Sequence, residues 1–312
     1  VEANMTRLIR QSFLGVNSEH VLGTATIGIV GLGGGGSHVA QQGAHLGIGN
    51  YVLADPDRID LGNTNRLVGG TLVDVLRRTF KTRIAARTIR ALNPLARIVE
   101  VRKSWQDAVE ELKRCDVIVG AVDSFKEREQ LERFARRYLI PYIDIGMDVH
   151  AIGPDGHLVS GQVILSMPGN PCLRCYGLIT DQRLGEEARM YGAAGGRPQV
   201  VWPNAVLAST AVGLMVHLLA PWHRKGLESA YLVYDGNKGT IVSSARNFSL
   251  LGKACTHHPE DETGDPLFDI RKHLRDSNAP KASASWFGLF FGRLAHLMNF
   301  CHKIVRSENH KN

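Results

Sequence analysis

The chain has 312 residues, 44% of them apolar and 21% charged, with a formal net charge of +7. That is enough apolar content for one large α/β domain plus an extension, and too much for a disordered chain. No apolar run reaches the ~18 residues of a membrane span. Val1-Glu-Ala-Asn4 does not read as a signal peptide, and five cysteines do not suggest a disulfide scaffold, so the expectation is a cytoplasmic protein without a transmembrane segment.

In chain order, Met5 to Leu14 reads as a short helix carrying Arg7 and Arg10, and Asn17 to Leu22 leads into an apolar strand, Ile27 to Val30. A glycine run, Gly31-Leu-Gly-Gly-Gly-Gly36, then opens a helix from Ser37 to Gly47. A second strand, Tyr51 to Ala54, delivers Asp55 and Asp57. Strand, glycine turn, helix, strand and acid form the dinucleotide-binding fingerprint, in which Gly31, Gly33, Gly34 and Gly36 let backbone approach phosphates and the helix start supplies N–H donors. Asp55 is placed to bind a ribose hydroxyl.

Asn63-Thr-Asn-Arg66 follows, then a long helix from Val73 to Leu92 with an inward stripe of Leu76, Phe80, Ile84, Thr88 and Leu92. Its other face is basic and reads mostly as solvated surface. Lys81, early in that helix, is the exception able to face a nucleotide. Arg97 to Val101 reads as a strand and Trp105 to Arg114 as a helix. The strand Asp116 to Val122 ends at Asp123, at the carboxyl edge where α/β sheets bind ligands. Asp123 can meet a phosphate-bound metal there, or cap the helix expected over Ser124 to Tyr138.

After a strand at Pro141 to Ile145 the pattern changes. His150 to Met167 alternates around Pro154-Asp-Gly and predicts a hairpin. Gly177 to Gln199 is polar and glycine-rich and reads as a mobile loop, Trp202 to Leu219 as an apolar helix, and Tyr231 to Ser244 as a second hairpin. The expected class is α/β: a Rossmann-like doubly wound sheet, mostly parallel, extended by antiparallel hairpins. Its nucleotide-binding half would span 27–146 and its substrate half 147–258, with a linker at 259–285 and an apolar C-terminal helix at 286–312. Its apolar stretch, Trp286 to Phe300, is too short to span a bilayer and is expected to dock on the domain or on a partner, with an interfacial membrane helix as the minority reading.

Cys172-Leu-Arg-Cys175 supplies two thiolates at metal-ligand spacing, and Cys255-x-x-His258 can supply the other half of a tetrahedral Zn²⁺ site, with His257 as competing ligand. Four protein ligands close such a site, so its role would be structural.

Taken together, Arg7-x-x-Arg10-Gln11, Gly31-x-Gly-Gly-x-Gly36, Asp55-x-Asp57, Asn63-x-Asn-Arg66, Lys81, Asp123 with Arg128, and Cys172-x-x-Cys175 resemble the ThiF/MoeB/HesA family of ubiquitin-activating-enzyme-like adenylyltransferases. The resemblance covers roughly Arg7 to His258. It implies transfer of AMP from ATP to the C-terminal glycine carboxylate of a small ubiquitin-like or sulfur-carrier protein, or of a peptide. It also implies that Asp55 holds the ribose, that Asn63, Arg66 and Lys81 contact phosphates, and that Asp123 binds Mg²⁺. Arg10 would reach the ATP of a second subunit, hence a homodimer, and a conjugating enzyme or sulfurtransferase would act downstream.

The chain departs from the family pattern in three places. Leu67 stands where glutamine is usual, the last ligand pair is Cys-x-x-His, and no cysteine lies between Cys175 and Cys255, where thioester-forming members carry their nucleophile. Cys115 reads as core, Cys301 lies in the apolar tail, and Ser209 or Thr210 would lack an obvious base. The competing readings are a tRNA-modifying dehydratase of the same fold, an NAD-dependent oxidoreductase and a non-catalytic nucleotide-binding scaffold. The zinc cysteines weigh against the RNA branch, so nucleic acid is not the expected partner. The oxidoreductase leaves Asn63, Arg66, Lys81 and Asp123 without a purpose.

Overall fold

The computed structural model describes residues 7–154, 156–189, 198–223, 226–250, 253, 255–258, 263–264 and 270. The chain divides into a compact unit, Val1–Phe268, and a second unit, Asp269–Asn312. The expected apolar helix at 286–312 and nearly all of the expected linker lie outside the described residues.

One eight-stranded sheet runs in the order β3-β2-β1-β4-β5-β6-β7-β8. The strands are β1 (Thr26–Val30), β2 (Asn50–Ala54), β3 (Arg97–Val101), β4 (Val117–Gly120), β5 (Tyr142–Ile152), β6 (Gly156–Ser166), β7 (Tyr231–Asp235) and β8 (Thr240–Ser243). The first five pair in parallel, and β5 to β8 are antiparallel. The helices are α1 (Ser18–Thr24), α2 (Gly34–Leu46), α3 (Leu72–Leu76), α4 (Lys81–Leu92), α5 (Val109–Leu112), α6 (Phe125–Arg137), α7 (Asp181–Arg189), α8 (Val201–Leu219) and α9 (Ala245–Ser249).

The continuous apolar runs of β1, β2 and β4 suit strands covered on both faces. Ile27 and Ile29, Val117 and Val119, Ile143 and Ile145, and Val163 and Leu165 join one core with Val39, Ala40 and Ala44 of α2 and with Leu207, Ala211 and Met215 of α8. By length and composition α8 could cross a membrane. It packs instead on α2 and on strands β5 and β6, where ten of its residues are buried.

Four expectations differ from the structure. The strand at 141–145 and the first arm of the hairpin are one strand, β5, which is parallel to β4 at its start and paired with β6 throughout. The loop expected over 177–199 contains α7. The N-terminal segment forms a 3-10 helix at Ile9–Leu14.

The fourth difference shapes the site. The helix expected over 73–92 is broken into α3 and α4, and Leu76, placed on the inward stripe, is 84% exposed. Thr71 and Asp74 form a capping box that starts α3, and Arg78 takes a left-handed φ of 49° after it. Asp74 accepts hydrogen bonds from both terminal nitrogens of Arg87 at 2.8 and 2.7 Å, which holds the break closed. Residues 79–80 return to the segment after β2: Ile59 N–H donates to Thr79 O at 2.9 Å, and the Arg58 guanidinium lies 3.7 Å from the Phe80 ring centroid. The helix can therefore restart at Lys81, beside Asp57.

Candidate active site and metal centre

The glycine turn follows β1. Gly31 has φ +84°, a conformation that only glycine adopts freely, and a Cβ there would lie 2.5 Å from Ala121 O. A Cβ on Gly36 would lie 1.8 Å from Gly31 O, so no side chain fits between helix and turn. Helix α2 begins with no side-chain cap at Gly33. Its first N–H groups and dipole end therefore form a seat for an anion.

Asp55 sits beneath this turn, 5% exposed. One carboxylate oxygen accepts from Leu32 N–H at 2.6 Å and the other from Asp57 N–H at 2.8 Å. Burial pushes its carboxyl above the usual range, opposed by Lys81 and the two N–H donors. Both oxygens thus serve the protein backbone, and it is Asp57 whose side chain is exposed, at 63%. Lys81 Nζ pairs with Asp57 at 2.7 Å, and Lys81 N–H donates to Asp57 O at 3.0 Å.

Asn63 closes a short turn, exchanging side-chain and backbone hydrogen bonds with Asp60. Arg66 donates to Gly62 O at 2.6 Å and to Asn65 Oδ1 at 2.9 Å. Asp123 follows β4 and is exposed. The capping alternative for it does not hold, because Ser124 is the N-cap of α6, its Oγ accepting from Glu127 N–H at 3.2 Å. The same helix start receives Glu187 of α7, whose carboxylate accepts from Phe125 N–H at 2.9 Å, Lys126 N–H at 3.0 Å and Ser124 Oγ at 3.2 Å. Gln199 donates to Asp123 Oδ1 at 3.1 Å.

Carboxylates crowd this mouth. Burial, then the charges of Asp123, Glu187, Asp55 and Asp57, raise the Glu127 carboxyl above its ordinary value. A divalent cation would relieve that field, and an exposed carboxylate such as Asp123 is the donor type Mg²⁺ takes.

Beneath the cleft lies a buried pair on α6 and β5. Arg128 donates to Asp144 at 2.5 Å, and Tyr142 Oη donates to its other oxygen at 2.9 Å. The N-terminal segment lies elsewhere. Arg7 donates to Ala44 O and His45 O, and Gln11 to Leu46 O, so both engage the last carbonyls of α2. That end is about 20 Å from the glycine turn by helical rise. Arg10 is exposed on the same segment and is not brought to this chain's own phosphate seat.

At the metal centre, Cys172, Cys175, Cys255 and His257 gather their ligand atoms. The Cys172–Cys175 and Cys175–Cys255 sulfur distances are 3.6 and 3.7 Å, and His257 Nδ1 lies 3.6 and 3.4 Å from Cys172 and Cys175. A tetrahedron with Zn–S near 2.3 Å and Zn–N near 2.0 Å has edges of about 3.5–3.8 Å, so the donor set fits zinc. The hydrogen bond between Cys172 and Cys255 draws the Cys255 thiol down and pushes the Cys172 thiol up, as two sulfurs sharing one proton do.

Of the two candidate histidines, His257 is the one gathered with all three cysteine sulfurs, whereas His258 is grouped with Cys172 and Glu132. His258 is buried and turned to α6, with Nε2 3.6 Å from Glu132 Oε2. Glu132 is fully buried, and its other oxygen accepts from Leu173 N–H at 2.9 Å and Ser166 Oγ at 2.5 Å. Arg136 donates to Asn170 O and Pro171 O, and Arg174 pairs with Glu129. One face of α6 thus clamps the cysteine knuckle.

Sequence reasoning had no access to Gln199, Glu187 or Glu132, since none belongs to a motif. The only local signal was an acid at position 132, on the stripe of α6 that the helical period turns inward.

The site thus combines a glycine turn on an α/β sheet, the cations Arg66 and Lys81, an exposed acid off β4 and a cluster of three cysteines with a histidine. A sequence profile of the ThiF family matches residues 5–256, and the chain belongs to that family. Among similar proteins, a SAMP-activating enzyme E1 of Haloferax volcanii is 30% identical over 172 residues, 54% of this chain and 60% of that protein. A sulfur carrier protein adenylyltransferase of Thermus thermophilus is 33% identical over 129 residues, 40% and 47% of the two chains. Ubiquitin-like modifier-activating enzyme 5 of Gallus gallus is 27% identical over 186 residues, 54% and 44%. The matched stretches thus span between 44% and 60% of those relatives' own lengths. The crystal structure of E. coli MccB with ATP shares the fold, with a TM-score of 0.64 at 20% identity over 80% of this chain and 74% of MccB.

Proposed function

We propose that this chain is an ATP-dependent adenylyltransferase acting on the C-terminal glycine carboxylate of a small ubiquitin-like or sulfur-carrier protein or of a peptide. The observation that carries this reading is the set of contacts that ties Lys81 to Asp57, Asp55 to the glycine turn at Leu32 N–H, and Arg66 through Asn65 and Gln199 to Asp123, together with the uncapped start of α2. The names of the relatives, activating enzymes and a sulfur-carrier adenylyltransferase, agree with it.

In the reaction a carboxylate oxygen of the acyl substrate attacks the α-phosphorus of ATP. The P–O bond to the bridging oxygen breaks, and its electron pair leaves with pyrophosphate, giving an acyl-adenylate. Both reactants are anions, so charge must be neutralised where they meet. The α2 N–H groups seat phosphate oxygens, and Lys81 exchanges Asp57 for phosphate. Arg66, steadied by Gly62 O and Asn65, adds the second cation. Asn63 holds the turn from which Arg66 projects. Asp55 fixes the glycine turn through Leu32 N–H and keeps acceptor capacity for a ribose hydroxyl, with the exposed carboxylate of Asp57 two residues on.

Asp123 would hold Mg²⁺, which supplies further charge neutralisation when bound. Cys172, Cys175, Cys255 and His257 would hold Zn²⁺, with a structural role. In this reading the enzyme stops at the acyl-adenylate, or passes it directly to a nucleophile on another protein such as a conjugating enzyme or sulfurtransferase; no cysteine lies between Cys175 and Cys255. Arg10, remote from its own cleft, serves the cleft of a second copy in a cytoplasmic homodimer.

ATP–pyrophosphate exchange with candidate proteins ending in glycine tests the reading. Exchange that depends on one of them names the partner. Asp123→Ala should abolish it while leaving the thermal transition in place, and undiminished exchange in that variant refutes the mechanism.

A further inference from the structure

Gln199 lies just ahead of α8, and joins two walls of the cleft that are far apart in sequence. Its side-chain Nε2 donates to Asp123 Oδ1 at 3.1 Å. Its carbonyl accepts from Asn65 Nδ2 at 2.9 Å. Asn65 Oδ1 in turn accepts from Arg66 at 2.9 Å. A continuous hydrogen-bonded chain, Arg66–Asn65–Gln199–Asp123, therefore crosses the mouth from the loop after β2 to the end of β4. Its two ends have roles in the reaction, and its middle has none assigned.

We propose that Gln199 is a positioning residue that orients the Asp123 carboxylate for a divalent cation. This rests on the adenylation reading, because it takes Asp123 as the Mg²⁺ ligand. The amide engages one of the two carboxylate oxygens, which fixes the rotation of the carboxylate and directs the other oxygen to the metal. Ligating carboxylates depend on such outer partners for orientation.

A carboxamide suits the task. It donates a hydrogen bond without bringing positive charge, so it does not compete with the cation, as lysine or arginine in its place would. The backbone on the far side of Asp123 is held separately, by Ser124 capping α6 and by Glu187 across Ser124 Oγ, Phe125 N–H and Lys126 N–H. What Gln199 adds is control of the side chain. The bond from Asn65 to its own carbonyl keeps Gln199 in place and ties the metal ligand to the loop that carries Arg66.

The test is calorimetric titration of ATP into the full chain at graded Mg²⁺ concentrations. Gln199→Ala and Gln199→Met are compared with the unmodified protein; both keep the carbonyl that Asn65 binds, and the second keeps the length of the side chain. Both variants should need about 10- to 100-fold more Mg²⁺ for half of the Mg²⁺-dependent gain in ATP affinity, the range found when an outer partner of a ligand is removed. Their affinity for ATP without Mg²⁺ should not change. An unaltered Mg²⁺ requirement, a lower one, or an equal loss with and without Mg²⁺ overturns the assignment and leaves adenylation standing. If the unmodified protein binds ATP with no dependence on Mg²⁺, or does not bind it, the adenylation reading itself fails.

Discussion

Exchanging the two neighbouring histidines separates a ligand from its support. His257 Nδ1 lies 3.4 and 3.6 Å from two of the three gathered sulfurs, at the edge length of a zinc tetrahedron, whereas His258 Nε2 faces Glu132 at 3.6 Å. Structural zinc sites contribute about 10–16 kcal/mol in metal affinity. A quarter of that, one ligand in four, is about 2.5–4 kcal/mol, or a loss of affinity of roughly 60- to 700-fold at 1.4 kcal/mol per tenfold. His257→Ala should therefore lose zinc to a competing chromogenic chelator at concentrations that leave the unmodified protein loaded. His258→Ala should retain metal within about 10- to 100-fold, as for loss of an outer partner. It should lose stability instead, because Glu132, fully buried, is left facing a cavity. Zinc content by mass spectrometry, chelator competition and thermal unfolding give the comparison. Loss of zinc in His258→Ala with retention in His257→Ala would refute the assignment.

Two further outcomes follow from the geometry. Gly36→Ala places a methyl group against Gly31 O, where a Cβ would lie at 1.8 Å, and should destabilise by about 1–3 kcal/mol while weakening ATP binding through displacement of the turn. Denaturant unfolding and ATP titration read the two effects, and an unchanged midpoint would contradict the packing. Arg87 holds the Asp74 carboxyl well below its ordinary value, mainly by hydrogen bonding. A depressed carboxyl adds stability at neutral pH that is lost as pH falls below the unfolded value, about 4. The unmodified protein should therefore melt higher than Arg87→Ala at pH 7, and the gap should narrow as pH drops below about 4. A constant gap in melting scans across that range would exclude the linkage.

The glycine turn and its flanking strands were legible because their determinants are local. The glycine turn, the strand before it and the acid after the next strand are set by steric permission at Gly31 and Gly36 and by spacing along one chain segment. The apolar runs of β1 and β4 likewise announced buried strands. Where two answers were locally equal, the sequence left the choice open or misled. Leu76, Phe80 and Ile84 keep a helical period across 77–80, so the segment reads as one helix. Only the pull of Phe80 toward Arg58, and the grip of Arg87 on Asp74, break it and set Lys81 beside Asp57.

His257 and His258 differ by one position, and spacing cannot rank them. The buried carboxylate of Glu132, delivered by α6, claims His258 and leaves His257 to the thiols. Asp55 could be placed at the glycine turn from its strand, but not that both its oxygens would be taken by backbone N–H groups. Gln199 carries no motif, and its meeting with Asp123 and Asn65 is made by packing α8 across the sheet. The sequence by itself determined the fold class, the glycine turn and the family, because those depend on backbone conformation and periodicity over a few tens of residues. The tertiary structure decided which of two adjacent histidines meets the metal donors, where the basic helix breaks and what holds Asp123. Those choices depend on burial and hydrogen-bond partners brought from distant segments, which have no local signature.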